Sequence, residues 1–409
     1  MSQSSIGFRL PSGADWNNPF DMYARLRKHA PVWHVHDDDT DYWVLTRHAD
    51  VRTAAADPVT FSSGSGLTVG YGELKAIGMA ETPPMVMQDP PAHTEFRSLV
   101  ARGFTPRQVT AIEPRVREFV TDRLGRMAGE AEPDIVGELL KPLPSMVVAH
   151  YLGVPEEDWP QFDAWTAAIV GAVSSGGPVT GDGPEATAAN AATAELLAYF
   201  GGLIEFRRDH PADDTVSQLV AADSPADIVA ILAFVFTMVA GGNDTTTGLL
   251  GGSLPLLYQA PGQRQRLVDD PGLIPGAVEE LLRLTSPVQG LARMTTRPVA
   301  YDTPHGPVEI PAGRKVLLCY AAANRDPAVY GDDAESLDIE RRPRNLLTFS
   351  HGHHHCLGAA AARMQARVAL GEILARFPDF EVDADGIVWA DGNYVRRPLF
   401  VPFRTGQRR

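Results

Sequence analysis

Cysteine is scarce in this chain, with only Cys319 and Cys356 among 409 residues. Two cysteines cannot build the disulfide framework of a small secreted protein, so a reducing compartment is expected. The first ten residues lack an apolar run after a basic stretch. We therefore expect neither a signal peptide nor a membrane anchor, and a cytoplasmic protein.

Basic residues are also under-represented. The chain has 36 Lys and Arg against 51 Asp and Glu, a net charge of −15. Nucleic-acid binding depends on a basic surface, so this balance argues against it. Hydrophobic residues make up 44% and charged residues 21%, which is typical of a soluble enzyme with a large core. Because no linker divides the chain, we expect one domain over residues 1–409, with about 1–14 as an N-terminal extension.

Helical patterns dominate the remaining sequence. The predicted helices are Pro19–His29, His93–Ala101, Pro106–Met127, Trp159–Val173, Ala186–Arg208, Ala226–Leu250, Gly276–Leu284 and Ala359–Phe377. The predicted strands are Val32–His34, Tyr42–Leu45, Val299–Tyr301 and Lys315–Tyr320. This pattern indicates a mainly α fold with a small β-sheet lobe.

Two long stretches show neither the helical nor the strand pattern. Ser62–Pro84 is rich in Gly and Ser, and Ser174–Glu185 contains four glycines and two prolines. Loops of this length in a compact domain are functional lids or tolerated insertions, and the sequence leaves both interpretations open.

The most informative segment surrounds the second cysteine. Phe349-Ser350-His351-Gly352-His353-His354-His355-Cys356-Leu357-Gly358 precedes a helix-forming run. Backbone N–H groups and the positive end of that helix favour a thiolate at Cys356. The neighbouring histidines also suggest a zinc or copper site, but a structural zinc site needs paired ligands at separated spacings. A second alternative is a buried, inert cysteine, which would not explain the flanking pattern.

The segment resembles the haem-binding loop of the cytochrome P450 family. Phe349, Gly352, His354, Cys356 and Gly358 match that pattern, whereas Ser350 stands where the family often has glycine. Ala361 and Gln365 also depart from the Leu and Glu common in bacterial members. The resemblance implies haem b with Cys356 as its axial iron ligand, a ligation that favours cleavage of the O–O bond. It also implies that Phe349 and Gly358 contact the haem.

A second signal lies in a run that lacks charge. No charged residue occurs from Ile228 to Asn243, after a predicted helix start at Ser224, Pro225 and Asp227. A membrane span needs about 20 mostly apolar residues, and Gly241-Gly242-Asn243-Asp244 and Pro255 interrupt this one. A buried core helix is therefore predicted.

Glycines and a carboxylate in the middle of such a helix suggest a functional site. Gly241, Gly242, Asp244 and Thr245 resemble the oxygen-binding signature of the same family. The resemblance implies that the glycines open the helix beside the haem, that Thr245 hydrogen-bonds in the oxygen pocket and that Asp244 relays protons from solvent.

Supporting residues follow the family order along the chain. Glu280 and Arg283 match its Glu-x-x-Arg pair, with Arg341 as a third member that supports the cysteine loop, although helix spacing alone would pair Glu279 with Arg283 equally well. His93 and Arg97, one helical turn apart, match the haem-propionate contacts, together with Arg293 and His354.

The resemblance also places the substrate pocket. Its expected lining is small or apolar, and comprises Val86, Met87, Thr237, Ala240, Gly241, Val288 and Leu291. A hydrophobic substrate follows, of terpenoid, steroid, fatty-acid or aromatic type. The implied reaction is insertion of one oxygen atom from O2; a peroxide-driven peroxygenase and a haem-based sensor are the alternatives.

Electrons would come from a separate ferredoxin and its reductase, and the protein is expected to be a monomer. Four arginines fall in the segments that the family places on the cysteine side of the haem: Arg102, Arg107, Arg363 and Arg367. A basic patch on an acidic protein would suit an acidic ferredoxin.

Overall fold

The computed structural model describes residues 7–38, 40–173, 183–222 and 226–406. Its helices are α1 (Phe20–His29), α2 (His48–Ala56), α3 (Glu73–Ala76), α4 (Ala92–Val100), α5 (Pro106–Met127), α6 (Pro142–Leu152), α7 (Trp159–Val173), α8 (Pro184–Asp209), α9 (Thr215–Val220), α10 (Ile228–Gln259), α11 (Pro261–Asp269), α12 (Ile274–Thr285), α13 (Tyr320–Ala323), α14 (Pro327–Tyr330) and α15 (Ala359–Arg376). Its strands are β1 (Val32–His36), β2 (Asp41–Leu45), β3 (Phe61–Ser62), β4 (Leu291–Thr295), β5 (Val299–Thr303), β6 (Gly306–Ile310), β7 (Lys315–Leu318), β8 (Glu381–Val382), β9 (Val388–Trp389), β10 (Pro398–Phe400) and β11 (Phe403–Arg404).

The predicted fold class is confirmed, since long helices surround small sheets. The bounds of α5 and α7 agree with the prediction. Helices α2 and α6 were missed. In α6 almost every residue is buried, so it lacks the polar face by which helical periodicity is recognised.

Helix α10 differs most from its prediction. It continues to Gln259, with Pro255 inside it, so the expected interruption there was wrong. A proline inside a helix costs about 3 kcal/mol, but Leu254, Pro255 and Leu257 are all buried in the core, which offsets this cost. Ser224 and Pro225 lie outside the described residues, and the side chain of Asp227 caps the helix by accepting a hydrogen bond from Val229 N.

The position of α10 explains its apolar composition. By length and composition it is the one helix of the described part that could cross a bilayer. It packs, however, against α6, α7, α8, α12 and α15. Its residues from Thr246 to Pro255 are all buried, as expected in a large core, whereas only 33% of its most apolar 18-residue stretch is buried.

The sheet lobe contains five strands in the order β1-β2-β7-β4-β3. Strand β2 runs parallel to β7, whereas the other neighbours are antiparallel. Strand β4, which the sequence did not predict, pairs Arg293 with Val316 of β7. It thereby fixes the position of Arg293, a predicted contact of a haem propionate.

The two predicted loops have different outcomes. The short helix α3 interrupts the first loop, Ser62–Pro84. The buried side chain of Lys315, from β7, holds this loop by donating to the carbonyl of Ser65 at 2.8 Å. Burial lowers the pKa of Lys315 to about 8. Most of the second loop, residues 174–182, lies outside the described residues, and α8 begins at Pro184.

Candidate active site

The cysteine loop is a tight turn that leads into α15. Cys356 N donates to the carbonyl of Phe349 at 2.9 Å, and His355 N donates to Gly352 O at 3.1 Å. Phe349 is buried, and the guanidinium of Arg363 lies 4.5 Å from the centre of its ring. Cys356 is thus held at the end of a closed hairpin, two residues before Gly358, which precedes the first residue of α15.

Two positions of this loop have left-handed backbone conformations. Gly352 has φ +71°, and a Cβ there would lie 3.0 Å from the carbonyl oxygen of Ala55. Ser350 has φ 59°, a conformation that favours glycine. Its hydroxyl lies 3.1 Å from that of Tyr320. The loop therefore keeps the turn at Ser350 although the residue is not glycine.

The Cys356 thiol keeps accessible surface and yet has protein on most sides. Burial is the largest influence and raises its pKa, whereas the Gly358 amide and the charges of Arg97 and Arg363 act in the opposite direction. The sequence predicted that the loop alone favours the thiolate. That prediction was wrong, because the net effect of the surroundings is to raise the pKa of Cys356. Without a bound cation, removal of water outweighs the helix and its neighbours.

A cluster of two arginines and two histidines lies beside the loop. Arg97 Nη2 donates to the carbonyl of His355 at 2.5 Å, and the rings of His93 and His354 lie 4.2 Å apart. His354 Nε2 lies 3.1 Å from Ser63 Oγ. Arg293 is buried, and its Nη1 donates to Ala292 O at 2.8 Å. The structure thus brings all four predicted propionate contacts together.

The electrostatics of this cluster favour an anion. Burial is the main cause that lowers the pKa of His354 to about 3, followed by the charges of Arg293, His93 and Arg97. The pKa of His93 is also lowered, chiefly by burial and then by Arg97. Both ring nitrogens of His93 are buried and have no hydrogen-bond partner among the described residues. Such a group of donors suits carboxylates.

The Gly241–Thr245 segment lies within continuous helix. Thr245 Oγ1 donates to the carbonyl of Gly241 at 3.0 Å, so the helix is not opened as the resemblance implied. The two glycines differ: a Cβ at Gly241 would meet nothing within 4 Å, whereas one at Gly242 would lie 2.7 Å from the side chain of Val148 on α6. Gly242 therefore permits helix packing, and Gly241 leaves space at the surface of α10.

The carboxylate of this segment has a cationic partner. Asp244 Oδ1 lies 2.8 Å from Arg397 Nε, and the two side chains are 13% and 6% exposed. A buried carboxylate is stable only when it is paired or hydrogen-bonded. Arg397, which immediately precedes β10, was not predicted from the sequence.

Glu280 and Arg283 form a fully buried ion pair. Arg283 Nε and Nη2 donate to the two carboxylate oxygens of Glu280, both at 2.7 Å, and both side chains are 0% exposed. Arg341 Nε donates to Glu280 Oε1 at 3.0 Å. The alternative pairing is excluded by geometry, because Glu279 binds Arg363.

This ion pair is connected to the cysteine loop. Arg283 Nη1 donates to the carbonyl of Asn324, and Asn324 Oδ1 accepts from Leu347 N at 2.8 Å. Thr348 Oγ1 donates to Leu282 O at 2.8 Å. The residues directly before Phe349 are therefore tied to α12, which supports the predicted role of the pair.

We expect Glu280→Ala to lower the free energy of unfolding by about 3–5 kcal/mol, because it leaves the Arg283 charge buried without a partner. The neighbouring Glu279→Ala is the matched control; it breaks a partly exposed pair, worth about 0.2–1 kcal/mol. Urea denaturation of the purified proteins measures both. Equal losses in the two variants would contradict the structural role of Glu280.

Six of the seven predicted pocket residues share intermediate burial, whereas Gly241 is exposed. Val86, Met87, Thr237, Ala240, Val288 and Leu291 are all half-buried. The turn Met85–Met87 contacts α10, and Val288 forms an isolated β-bridge with Val395. These six side chains are neither fully buried nor fully exposed, Val395 lies next to them through its bridge to Val288, and their role as a substrate lining stays a prediction.

The predicted basic patch is smaller than expected. Arg363 is paired with Glu279, and Arg367 is paired with Glu113. Arg102 and Arg107 are exposed and have no carboxylate partner among the described residues. The available positive charge of this patch therefore lies at Arg102 and Arg107.

A second group of potential metal ligands lies outside the cysteine loop. Within the described ranges, the one group of three close enough to share an ion is His34, His36 and Asp41, on the β1–β2 hairpin. His34 Nε2 lies 2.8 Å from Asp41 Oδ1, and Arg314 binds the other oxygen of Asp41 at 2.6 Å. This surface cluster is satisfied internally, and the histidines of the cysteine loop do not form such a group.

The sequence of this chain matches a known family. A family model described as Cytochrome P450 matches residues 272–388, and a family member aligns over nearly the whole chain. The chain therefore belongs to the cytochrome P450 family, whose members are monooxygenases that carry haem on a cysteine thiolate.

Particular relatives are similar to different degrees. The chain is 62% identical to Cytochrome P450 130 of Mycobacterium tuberculosis over 412 residues, with 99% of each chain covered. It is 36% identical to Vitamin D(3) 25-hydroxylase of Pseudonocardia autotrophica, with 98% of this chain and 96% of the relative covered. The structure of CYP109E1 from Bacillus megaterium in complex with corticosterone matches with a TM-score of 0.83 at 29% identity, covering 96% and 100% of the two chains.

Proposed function

We propose that this protein binds haem b through Cys356 and inserts one oxygen atom from O2 into a hydrophobic small molecule, most simply as a hydroxylation. The loop that presents the accessible Cys356 thiol beside Arg97 and Arg293, two arginines with no carboxylate partner among the described residues, is the observation that carries this proposal. His93, with two buried ring nitrogens that lack partners in the described part, fits a propionate, as do Arg97, Arg293 and His354.

When bound, haem supplies the oxygen chemistry, and the protein supplies position and proton control. Cys356 holds the iron, with its loop braced by Phe349 and Gly358. Gly241 leaves space on α10. Asp244 relays protons from solvent along that helix, and Thr245 hydrogen-bonds in the oxygen pocket. Val86, Met87, Thr237, Ala240, Val288 and Leu291 exclude water from the substrate.

The substrate class follows from this lining and from relatives whose names or structures include vitamin D(3) and corticosterone. We propose an extended hydrophobic molecule. A panel of steroids, terpenoids, fatty acids and aromatic compounds is titrated into the ferric protein, and a substrate is identified by the spectral change that accompanies loss of the iron-bound water.

A reconstituted redox chain tests the reaction itself. With ferredoxin, its reductase and NADH, we expect substrate-dependent NADH consumption and a product that carries one atom of labelled O2. Product formed only with hydrogen peroxide would instead establish a peroxygenase. Spectral binding without turnover from either oxidant would indicate a sensor.

Bacterial members of the family generally use such redox partners. We propose that an acidic ferredoxin docks near Arg102 and Arg107, on a monomeric, cytoplasmic protein. Their exposed charges stand out on a chain with a net charge of −15. Complementary charge chiefly raises the association rate and weakens with salt.

Charge reversal at Arg102 and Arg107 should slow electron transfer from ferredoxin at low ionic strength, and the defect should shrink as salt rises. Stopped-flow reduction under carbon monoxide measures the rate. The control Arg25→Glu/Lys28→Glu makes the same change in net charge on α1, where both residues are exposed. If the two double variants slow equally, the effect is one of net charge and the docking site lies elsewhere.

A further inference from the structure

We propose that Arg397 is a positioning residue for the proton relay, which holds the Asp244 carboxylate in place and keeps it ionised between turnovers. This inference deepens the proposed function and rests on it. It assigns a role to a residue 153 positions away along the chain, in the segment Arg396–Pro398.

The contact itself is direct and largely shielded from water. Arg397 Nε lies 2.8 Å from Asp244 Oδ1, with 6% and 13% of the two side chains exposed. In such an environment the two charges stabilise each other strongly, and loss of either leaves the other in an unfavourable state.

The backbone is shaped to make this contact. A Cβ at Gly248 would lie 2.6 Å from the carbonyl oxygen of Arg396, and a Cβ at Gly251 would collide with Pro398. Asp244, Gly248 and Gly251 are spaced by four and three residues, so they lie along one face of α10. The glycines therefore let the segment Arg396–Pro398 lie directly on this face, where Arg397 reaches the carboxylate.

The same segment is fixed at its other contacts. Arg396 N donates to Pro287 O at 2.8 Å, and Ala390 N donates to Arg397 O at 3.0 Å. Arg396 itself serves a different purpose: its Nε donates to the carbonyl of Trp16, and its guanidinium lies 3.8 Å from the centre of the Trp389 ring. Of the two arginines, Arg397 is the one whose side chain pairs with a carboxylate of α10.

Arginine suits this role because it stays charged and cannot itself transfer a proton. The relay requires Asp244 to take up a proton from solvent and release one towards Thr245, which leaves the carboxylate as it began. A fixed cation beside Asp244 favours that return to the carboxylate. Without the cation, a buried carboxyl group would retain the proton.

The test compares Arg397→Met, Arg397→Lys, Asp244→Asn and the Asp244→Asn/Arg397→Met double variant as haem-loaded proteins. We expect Arg397→Met to lower kcat at least roughly tenfold, a part of the about 10²–10⁴-fold that a positioned acid contributes, with unchanged substrate affinity. Arg397→Lys should restore most of the rate, and Arg397→Met should cause no further loss in the Asp244→Asn background. Arg404→Met is the control, since Arg404 belongs to the same C-terminal region but is 63% exposed.

Infrared spectroscopy gives a readout that a merely structural role would not change. The ferric Arg397→Met protein should show a protonated carboxyl band that is absent from the wild type and lost in the double variant. If the Arg397→Met protein does not retain haem, the Arg397→Gln variant is used in its place. Absence of the band overturns the inference whatever the turnover. If Asp244→Asn keeps wild-type turnover, the proton relay on which the inference rests is wrong. The infrared band measures the effect of Arg397 on Asp244 separately from turnover.

Discussion

Reduced protein exposed to carbon monoxide should show the strongly red-shifted Soret band that thiolate ligation produces, and Cys356→His should lose this band while still able to hold haem. A thiolate donates electron density to the iron and from there to the bound ligand, and a neutral imidazole donates less. The variant should also lose monooxygenase turnover. The measurement is a difference spectrum of the reduced protein with and without carbon monoxide.

The second cysteine provides the control. Cys319 is buried, and burial raises its pKa to about 12, so it remains a thiol at neutral pH. Cys319→Ala should therefore retain the shifted band. Burial raises the pKa of Cys356 as well, but iron replaces the proton on binding, as for other metal ligands. Purified haem-containing wild-type protein without the shifted band would disprove the assignment of Cys356.

Local patterns predicted much of this architecture. The sequence around Cys356 indicated a tight loop before a helix, and that loop is present. Glu280 and Arg283 were predicted from their place in the family order, because spacing alone fits Glu279 and ordinary surface pairs equally well, and their complete burial distinguishes them. In each case the chemistry lies within about ten residues, where backbone geometry largely determines which side chains meet.

Contacts between distant segments were not predictable in this way. Helical spacing says nothing about the partners of Arg363 and Arg367, whose carboxylates are 84 and 254 residues away. The pairing of Asp244 with Arg397 depends on glycines of α10 that admit a distant segment. The net pKa direction of Cys356 was missed for a related reason, because desolvation depends on the whole fold around the loop.

Pro255 shows the opposite error, in which a local rule was trusted too far. A proline removes one helical hydrogen bond, and on that basis an end to α10 was expected. The helix continues because the surrounding residues are buried against the rest of the core. Local propensity is a weak indication wherever tertiary packing is extensive.

Large kinetic effects are also expected at Asp244 and Thr245 of α10, the two residues of the proposed proton relay. Asp244→Asn should lower turnover by about 10²–10⁴-fold, the contribution of a positioned acid, while substrate still binds. Thr245→Ala should keep NADH consumption but divert electrons to hydrogen peroxide, because the hydroxyl that guides protons is gone.

Steady-state assays of product, NADH and hydrogen peroxide separate the two effects. Thr245→Ser is the matched control for Thr245→Ala, since it keeps the hydroxyl that contacts Gly241 O at 3.0 Å in the wild type. Serine should preserve coupling of electrons to product, and alanine should not. If Asp244→Asn and Thr245→Ala both retain wild-type turnover and coupling, proton delivery follows another route, and the mid-helix carboxylate serves only to bind Arg397.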